Sequence, residues 1–187
     1  MALPEEKVYT IEDIYDLPEG TRAELIDGQI YYMAPPNTID QRLVMKISYS
    51  IEDYINKKSG SCEVFPAPFA VFIKPHDDRF YVEPDISVIC DSDKINKKGC
   101  KGAPDWIIEI VSPSNSSYDY VDKLGLYRST GVREYWIVNP IKKNIFVYFF
   151  EETRFNATMY TFEDKVKVNI YEDLYINFIE ICKSLNL

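Results

Sequence analysis

The sequence contains one histidine, His76, among 187 residues. A lone imidazole leaves no material for a histidine-rich metal centre and argues against Ser-His-Asp or Cys-His catalysis. The four cysteines, Cys62, Cys90, Cys100 and Cys182, form no C-x-x-C pair, so neither a zinc ribbon nor a thioredoxin-like motif is indicated. They read as reduced thiols, buried or idle, in a cytoplasmic protein. No apolar run approaches the ~18 residues of a membrane span, and residues 1–7 carry no apolar signal-peptide core. No membrane partner is therefore expected. Positive charge is also short: 21 Lys and Arg face 30 Asp and Glu, a net charge of −9. A dedicated non-specific nucleic-acid binder is usually basic, so any such contact would have to come from a local patch.

What remains is a globular composition, 46% hydrophobic and 27% charged. The length favours a single domain over residues 1–187 with a sizeable core. Fifteen Tyr and ten Phe suit a sheet-rich protein. Thr10 predicts the cap of a short helix that ends before Pro18. Asp27-Gly28 between two apolar runs predicts a β-hairpin. Residues 38–58 predict the longest helix, with a capping box of Thr38 and Gln41 and a buried stripe of Ile39, Leu43, Val44, Ile47, Ile51 and Ile55. Short strands broken by Pro66 and Pro68 should follow, then a strand over residues 80–89. Residues 91–102, with Lys94, Lys97, Lys98 and Lys101, read as an exposed polar connection that could meet phosphate.

Residues 106–111 form a continuous apolar run interrupted only by Glu109, as expected of a central strand buried on both faces. Ser112 and Ser114 then read as turn formers and caps. A helix is expected to about Ser129, closed by Gly131. A buried strand at residues 135–138, further strands near 145–150, 157–162 and 166–170, and a helix at 178–185 complete the expected order. Trp106 and Trp136 read as core packing and His76 as a surface turn residue.

Two acids and a lysine stand out in this frame. Strand periodicity puts Glu83, Asp85 and Ser87 on one face of their strand. Glu109 lies in a strand where an ionised carboxylate is costly unless paired, hydrogen-bonded or bound to metal. Asp119, Lys123 and Tyr127 lie at i, i+4 and i+8 of the following helix and share a face, so Lys123 can reach towards Glu109. Phosphodiester hydrolysis needs a hard cation held by oxygens, an activated water and positive charge for the transition state. Mg²⁺ takes one or two carboxylates and keeps several waters. Asp85 and Glu109 meet that need, and Lys123 could orient the water or stabilise developing charge. The competing account of the same residues is a buried Glu109–Lys123 ion pair with Asp85 as a turn or edge acid.

The same residues carry a resemblance. Glu24-Leu25-Ile26-Asp27-Gly28, Met33-Ala34-Pro35-Pro36, Pro84-Asp85, Glu109-Ile110-Val111-Ser112-Pro113-Ser114, Asp119-x3-Lys123-x3-Tyr127 and the run from Gly131 to Pro140 resemble the Uma family of endonucleases. That family is placed in the PD-(D/E)XK restriction-endonuclease-like superfamily. The likeness runs from about Thr10 to the C-terminus. It implies a mixed α/β (α+β) fold, with a mixed central sheet, flanking helices and extra antiparallel strands. It implies Mg²⁺ or Mn²⁺ as cofactor, DNA as partner, and Asp85 and Glu109 as metal-holding acids. Val111 stands where the superfamily motif has its lysine, and only its backbone carbonyl could assist; the lysine role passes to Lys123. Glu24 matches a family acid and is a supporting ligand, beside Asp119 and Tyr127. Relatives often show His-Gln where this chain has Asp40-Gln41. A homodimer, with one site for each DNA strand, is a further implication.

Three functions follow as expectations: a DNA endonuclease, a non-catalytic binding or regulatory domain on the same fold, and another hydrolase using the same carboxylates. Negative charge favours the last two; the Asp85, Glu109 and Lys123 set favours the first.

Overall fold

The computed structural model describes residues 7–111, 118–150 and 155–187. A short helix α1 (Ile11–Tyr15) leads into a hairpin of β1 (Ala23–Ile26) and β2 (Gln29–Tyr32). Asp27 and Gly28 both take positive φ, 49° and 76°, as the expected two-residue turn requires. Helix α2 (Thr38–Lys57) follows, and then β3 (Glu63–Pro66), β4 (Val71–Phe72) and β5 (Ile86–Ile89). A small excursion carries β6 (Ile95–Asn96) and β7 (Gly99–Lys101). Strand β8 (Trp106–Ile110), helix α3 (Leu124–Thr130) and β9 (Glu134–Asn139) form the central crossover. The chain ends with β10 (Asn144–Phe150), β11 (Phe155–Thr161), β12 (Lys165–Lys167), β13 (Tyr175–Asn177) and α4 (Phe178–Leu185).

Six strands make the central sheet, in the order β11-β10-β9-β8-β5-β3. Only β8 and β9 pair in parallel; the other neighbours are antiparallel, so the sheet is mixed. Every residue of β8 and β9 is buried, which explains their largely apolar sequence, with Glu109 in β8 and Glu134 and Asn139 in β9 the exceptions. One face, carrying Ile86, Val88, Trp106, Ile108 and Trp136, packs under the Leu43–Val44–Ile47–Ile51–Ile55 stripe of α2 and under α4. The other, carrying Ile107, Tyr135, Ile137 and Tyr148, packs under Leu126 and Tyr127 of α3. Trp106 and Trp136 are fully buried and meet edge to face at 4.8 Å, as packing residues should.

Several expectations are corrected. The cap of α2 is Asn37, whose Oδ1 accepts from the N–H groups of Ile39 and Asp40, and its box partner is Asp40; the Thr38–Gln41 box does not form. Ile39 lies off the buried stripe, on the exposed first turn. The strand expected over 80–89 is interrupted. Tyr81 and Val82 make isolated bridges to Leu25 and Val71, and regular pairing resumes only at Ile86. Pro84 is the physical reason: it has no N–H for a ladder. Residues 91–102 are ordered, because β7 pairs with both β4 and β6 and buries Cys100. Lys94 donates to the carbonyl of Ala103, which removes it from a free basic loop. The strand expected at 166–170 is shorter, and it pairs with a further strand, β13, across the turn that follows it.

Two cysteines are not free thiols. Cys62 and Cys90 form a disulfide, while Cys100 and Cys182 are free and buried. The register Glu63↔Ile89 explains the bond: one step further along that antiparallel pair sets Cys62 opposite Cys90. A sequence separation of 28 hides that neighbourhood. Among the described residues, no helix is long and apolar enough to cross a membrane.

Candidate active site

The interruption at Glu83-Pro84-Asp85 builds the site. Released from a ladder, the Asp85 N–H points to Glu109 Oε2 at 3.4 Å, and Asp85 Oδ2 accepts the backbone N–H of Ile110 at 2.7 Å. The two acids are thus laced together across the β5–β8 junction through each other's backbone. Glu109 projects from β8 on the α3 side, where Lys123 and Tyr127 meet it. Lys123 Nζ lies 2.9 Å from Glu109 Oε1, and the Tyr127 hydroxyl donates to the same oxygen at 2.9 Å.

Lys123 has a second carboxylate partner, Glu24 of β1, at 2.8 Å. All three ionic groups are deeply buried: Glu24 is 2% exposed, Lys123 3% and Glu109 4%. Two carboxylates around one ammonium would be untenable here without further donors. Tyr127 supplies one and the N–H of Glu83, donating to Glu24 Oε1 at 2.9 Å, supplies another. Burial, reinforced by the negative charge of Glu109, pushes the Tyr127 phenol well above its ordinary pKa, so it stays a proton donor. Asp85 differs in being half-buried, and it is where solvent reaches this network.

The backbone that delivers Lys123 is a π-helical stretch, Tyr118–Lys123, ahead of α3. Such insertions rephase a helix and often occur at functional sites. Here the stretch ends at Lys123, and Tyr127 lies one helical turn further on in α3, so that both reach Glu109. Gly131 ends α3 at φ 95°, the left-handed cap that its sequence position implied. Ser112 and Ser114 and the side chain of Asp119 lie outside the described residues. Val111 is buried, and its N–H extends the sheet by donating to the carbonyl of Val138 at 2.9 Å.

Glu83 turns away from the two acids, contrary to its expected place beside Asp85. It accepts from Arg22 Nε at 2.9 Å and from the Tyr81 hydroxyl at 2.6 Å. This Arg22–Glu83–Tyr81 wall was missed from sequence, because its members lie up to 61 positions apart in chain order. Asp40 is buried in the first turn of α2; burial raises its carboxyl pKa, and its Oδ1 has no hydrogen-bond partner. His76 lies in an exposed turn.

Among the described residues, no group of three or more His, Cys, Asp or Glu side chains is gathered as a metal cage. A two-carboxylate site is another matter. Asp85 and Glu109 are hard oxygen donors held together by backbone hydrogen bonds, and that donor set fits Mg²⁺ or Mn²⁺, which take few protein ligands and retain water.

Fold and site together define a restriction-endonuclease-like mixed α/β architecture with an acid–acid–lysine network on one sheet face. A solved structure from Anabaena variabilis ATCC 29413, described as "a putative nuclease belonging to DUF820", superposes with a TM-score of 0.74 over 94% of this chain and 98% of its own, at 21% identity. The chain belongs to the Uma2 family, described as "Putative restriction endonuclease", whose family model matches residues 11–176. Two curated relatives from Synechocystis sp. (strain ATCC 27184 / PCC 6803 / Kazusa) are "Uncharacterized protein slr1290", 26% identical over 126 residues, and "Uncharacterized protein sll1609", 26% identical over 121 residues. The matches cover 67% and 63% of this chain, and they span 64% and 66% of those relatives' lengths.

Proposed function

We propose that the chain is a metal-dependent endonuclease that hydrolyses DNA phosphodiester bonds with Mg²⁺ or Mn²⁺. The observation that carries this reading is the single network joining Asp85, Glu109 and Lys123, with Asp85 open to solvent and the other two buried behind it. Membership of the Uma2 family supports it.

Asp85 and Glu109 would hold the cation, which when bound supplies Lewis acidity and an activated water. The chain's own contribution is preorganisation. The N–H of Ile110 fixes the Asp85 carboxylate, and Tyr127 and Lys123 fix the position of Glu109. Glu24 anchors the other side of Lys123 and so sets the position of its ammonium. That ammonium orients the attacking water or stabilises negative charge developing on the phosphate. A homodimer would present one such site to each strand of a duplex. With DNA as substrate, we place the protein in the cytoplasm; the Cys62–Cys90 disulfide is the observation against that placement.

A second reading rests on the same geometry: Lys123, bonded to two buried glutamates, is a complete structural ion cluster without any metal. The protein would then be a non-catalytic binding or regulatory domain.

The deciding experiment incubates purified protein with supercoiled plasmid, linear duplex and single-stranded DNA, in Mg²⁺, Mn²⁺ or EDTA. Asp85→Asn is the clean variant, since an amide oxygen still accepts from Ile110 and preserves the fold. Cutting that requires metal and vanishes in Asp85→Asn is the expected result. Calorimetry with Mn²⁺ runs in parallel, and absence of both cutting and Mn²⁺ binding would leave the non-catalytic reading standing.

A further inference from the structure

We propose that the outer edge of β11 is the surface through which two copies of this chain pair, strand against strand, into one continuous sheet. Among the described residues β11 (Phe-Asn-Ala-Thr-Met-Tyr-Thr) ends the central sheet, and its residues are exposed except Tyr160, which is half-buried. Phe155 is 44% exposed and Met159 59%. Edge strands are normally blunted by charge, proline or a bulge. The opposite edge of the same sheet is treated in that way: β3 starts at Glu63, ends at Pro66 and is followed by Pro68. β11 has no Asp, Glu, Lys, Arg, His or Pro, and its seven register pairs with β10 run without a bulge.

The direction of its free backbone groups follows from the ladder. The N–H of Phe162 donates to Lys143, and the N–H of Phe150 donates to Arg133. Alternation then turns Asn156, Thr158 and Tyr160 towards β10, and Phe155, Ala157 and Met159 outward. Thr161 is closed off, because its N–H donates to Asp164 Oδ2 at 2.7 Å. Three outward residues centred on Ala157 are self-complementary about a two-fold axis. Ala157 faces Ala157 of the second copy, and Phe155 of each copy faces Met159 of the other. The smallest side chain falls on the axis, and each phenyl ring meets a thioether, a favourable contact. On the other face Asn156 lies beside Thr158.

The symmetric order of the outward residues about Ala157 selects a second copy as the occupant, and the strand's lack of charge permits it. A chain of net charge −9 repels its own kind across most of its surface, and this strand is a place where like charges do not meet. The apolar side of the strand also continues into the aromatic row of Phe146, Tyr148 and Phe150, with Tyr148 and Phe155 stacked at 5.9 Å. The axis stands perpendicular to the sheet, so both α3 faces lie on the same side of the pair. Seven strand spacings separate the two β8 strands, about 34 Å. That is roughly one turn of a duplex, a match that bears on function only if the nuclease reading holds; the pairing itself does not need it.

Sedimentation equilibrium of the full chain over a hundredfold concentration range should give twice the 21.8 kDa chain mass. Ala157→Lys sets two ammonium groups side by side on the axis and should give a monomer with unchanged circular dichroism. Ala157→Cys should link the copies on mild oxidation, since Cα atoms of such a pair stand ~5.5 Å apart, within disulfide range. Thr158→Cys, opposite Asn156 and on the other face, should not. A monomeric wild-type chain overturns the proposal. So does a dimer that Ala157→Lys leaves intact or that Ala157→Cys fails to link. None of these readouts depends on DNA cleavage, so either reading can fail without the other.

Discussion

Lys123 is buried between Glu24 and Glu109, and its replacement tests how much of the fold depends on the site. Lys123→Met should destabilise the protein by about 3–5 kcal/mol in urea unfolding, because two buried carboxylates lose their counter-charge. A loss below about 1 kcal/mol would mean that the cluster is far better hydrated than its burial implies. Glu134, with none of its surface exposed, is a buried acid that serves structure. Its two oxygens accept from Trp136 Nε1, from the Asn169 and Ile170 N–H groups and from Asn169 Nδ2. Burial nevertheless raises its pKa above the ordinary glutamate value of 4.5. An acid whose native pKa is raised binds its proton more tightly folded than unfolded. Its contribution to stability is therefore largest below 4.5 and falls as pH rises through the raised native value. Glu134→Gln should remove that slope from the pH profile of unfolding. At neutral pH it should still cost about 1–3 kcal/mol, because an amide nitrogen opposes donors that the carboxylate satisfied.

At the scale of elements, the start of α2 gives a sharp test. Asn37→Ala removes the acceptor for two N–H groups and should cost about 1 kcal/mol. Thr38→Ala, at the first helical residue, should change stability by only a few tenths of a kcal/mol. The reverse order would restore Thr38 as the cap. Much of the element order was legible from local signals: Asp-Gly for the hairpin, the apolar stripe for α2, and the apolar run around Glu109 for β8. The illegible parts share a cause. Residues 91–102 look like a polar loop because β6 and β7 are short and draw order from pairing with each other and with the distant β4. The break at Glu83–Asp85 is of another kind: Pro84 is a local signal for it, and a continuous strand over residues 80–89 leaves that signal out.

At the scale of the whole molecule, charge and shape point in different directions. The chain is acidic overall, and several of its basic residues have partners of their own. Arg133 pairs with Asp105 at 3.1 Å, Arg128 lies over the Phe155 ring, and Lys94 is tied to Ala103. Lys97, Lys98 and Lys101 remain exposed on the small β4–β7–β6 sheet. DNA contact by this chain would therefore be concentrated rather than spread. A dimer through β11 would double that local positive charge without bringing acidic faces together, and the sedimentation test bears on it directly.

The sequence by itself determined the candidate chemistry: which residues are acids in strands too apolar to hold them idle, and which lysine shares a helix face with Tyr127. Period-2 and period-3.6 patterns are local, and so they are readable one residue at a time. Tertiary structure alone decided the partners. That Glu24 closes the second side of Lys123, that Glu83 turns to Arg22, that Cys62 meets Cys90 and that β11 is left as an uncharged edge all depend on long-range pairing. Such contacts form when distant segments are brought into register, and no local signal in either segment records the other.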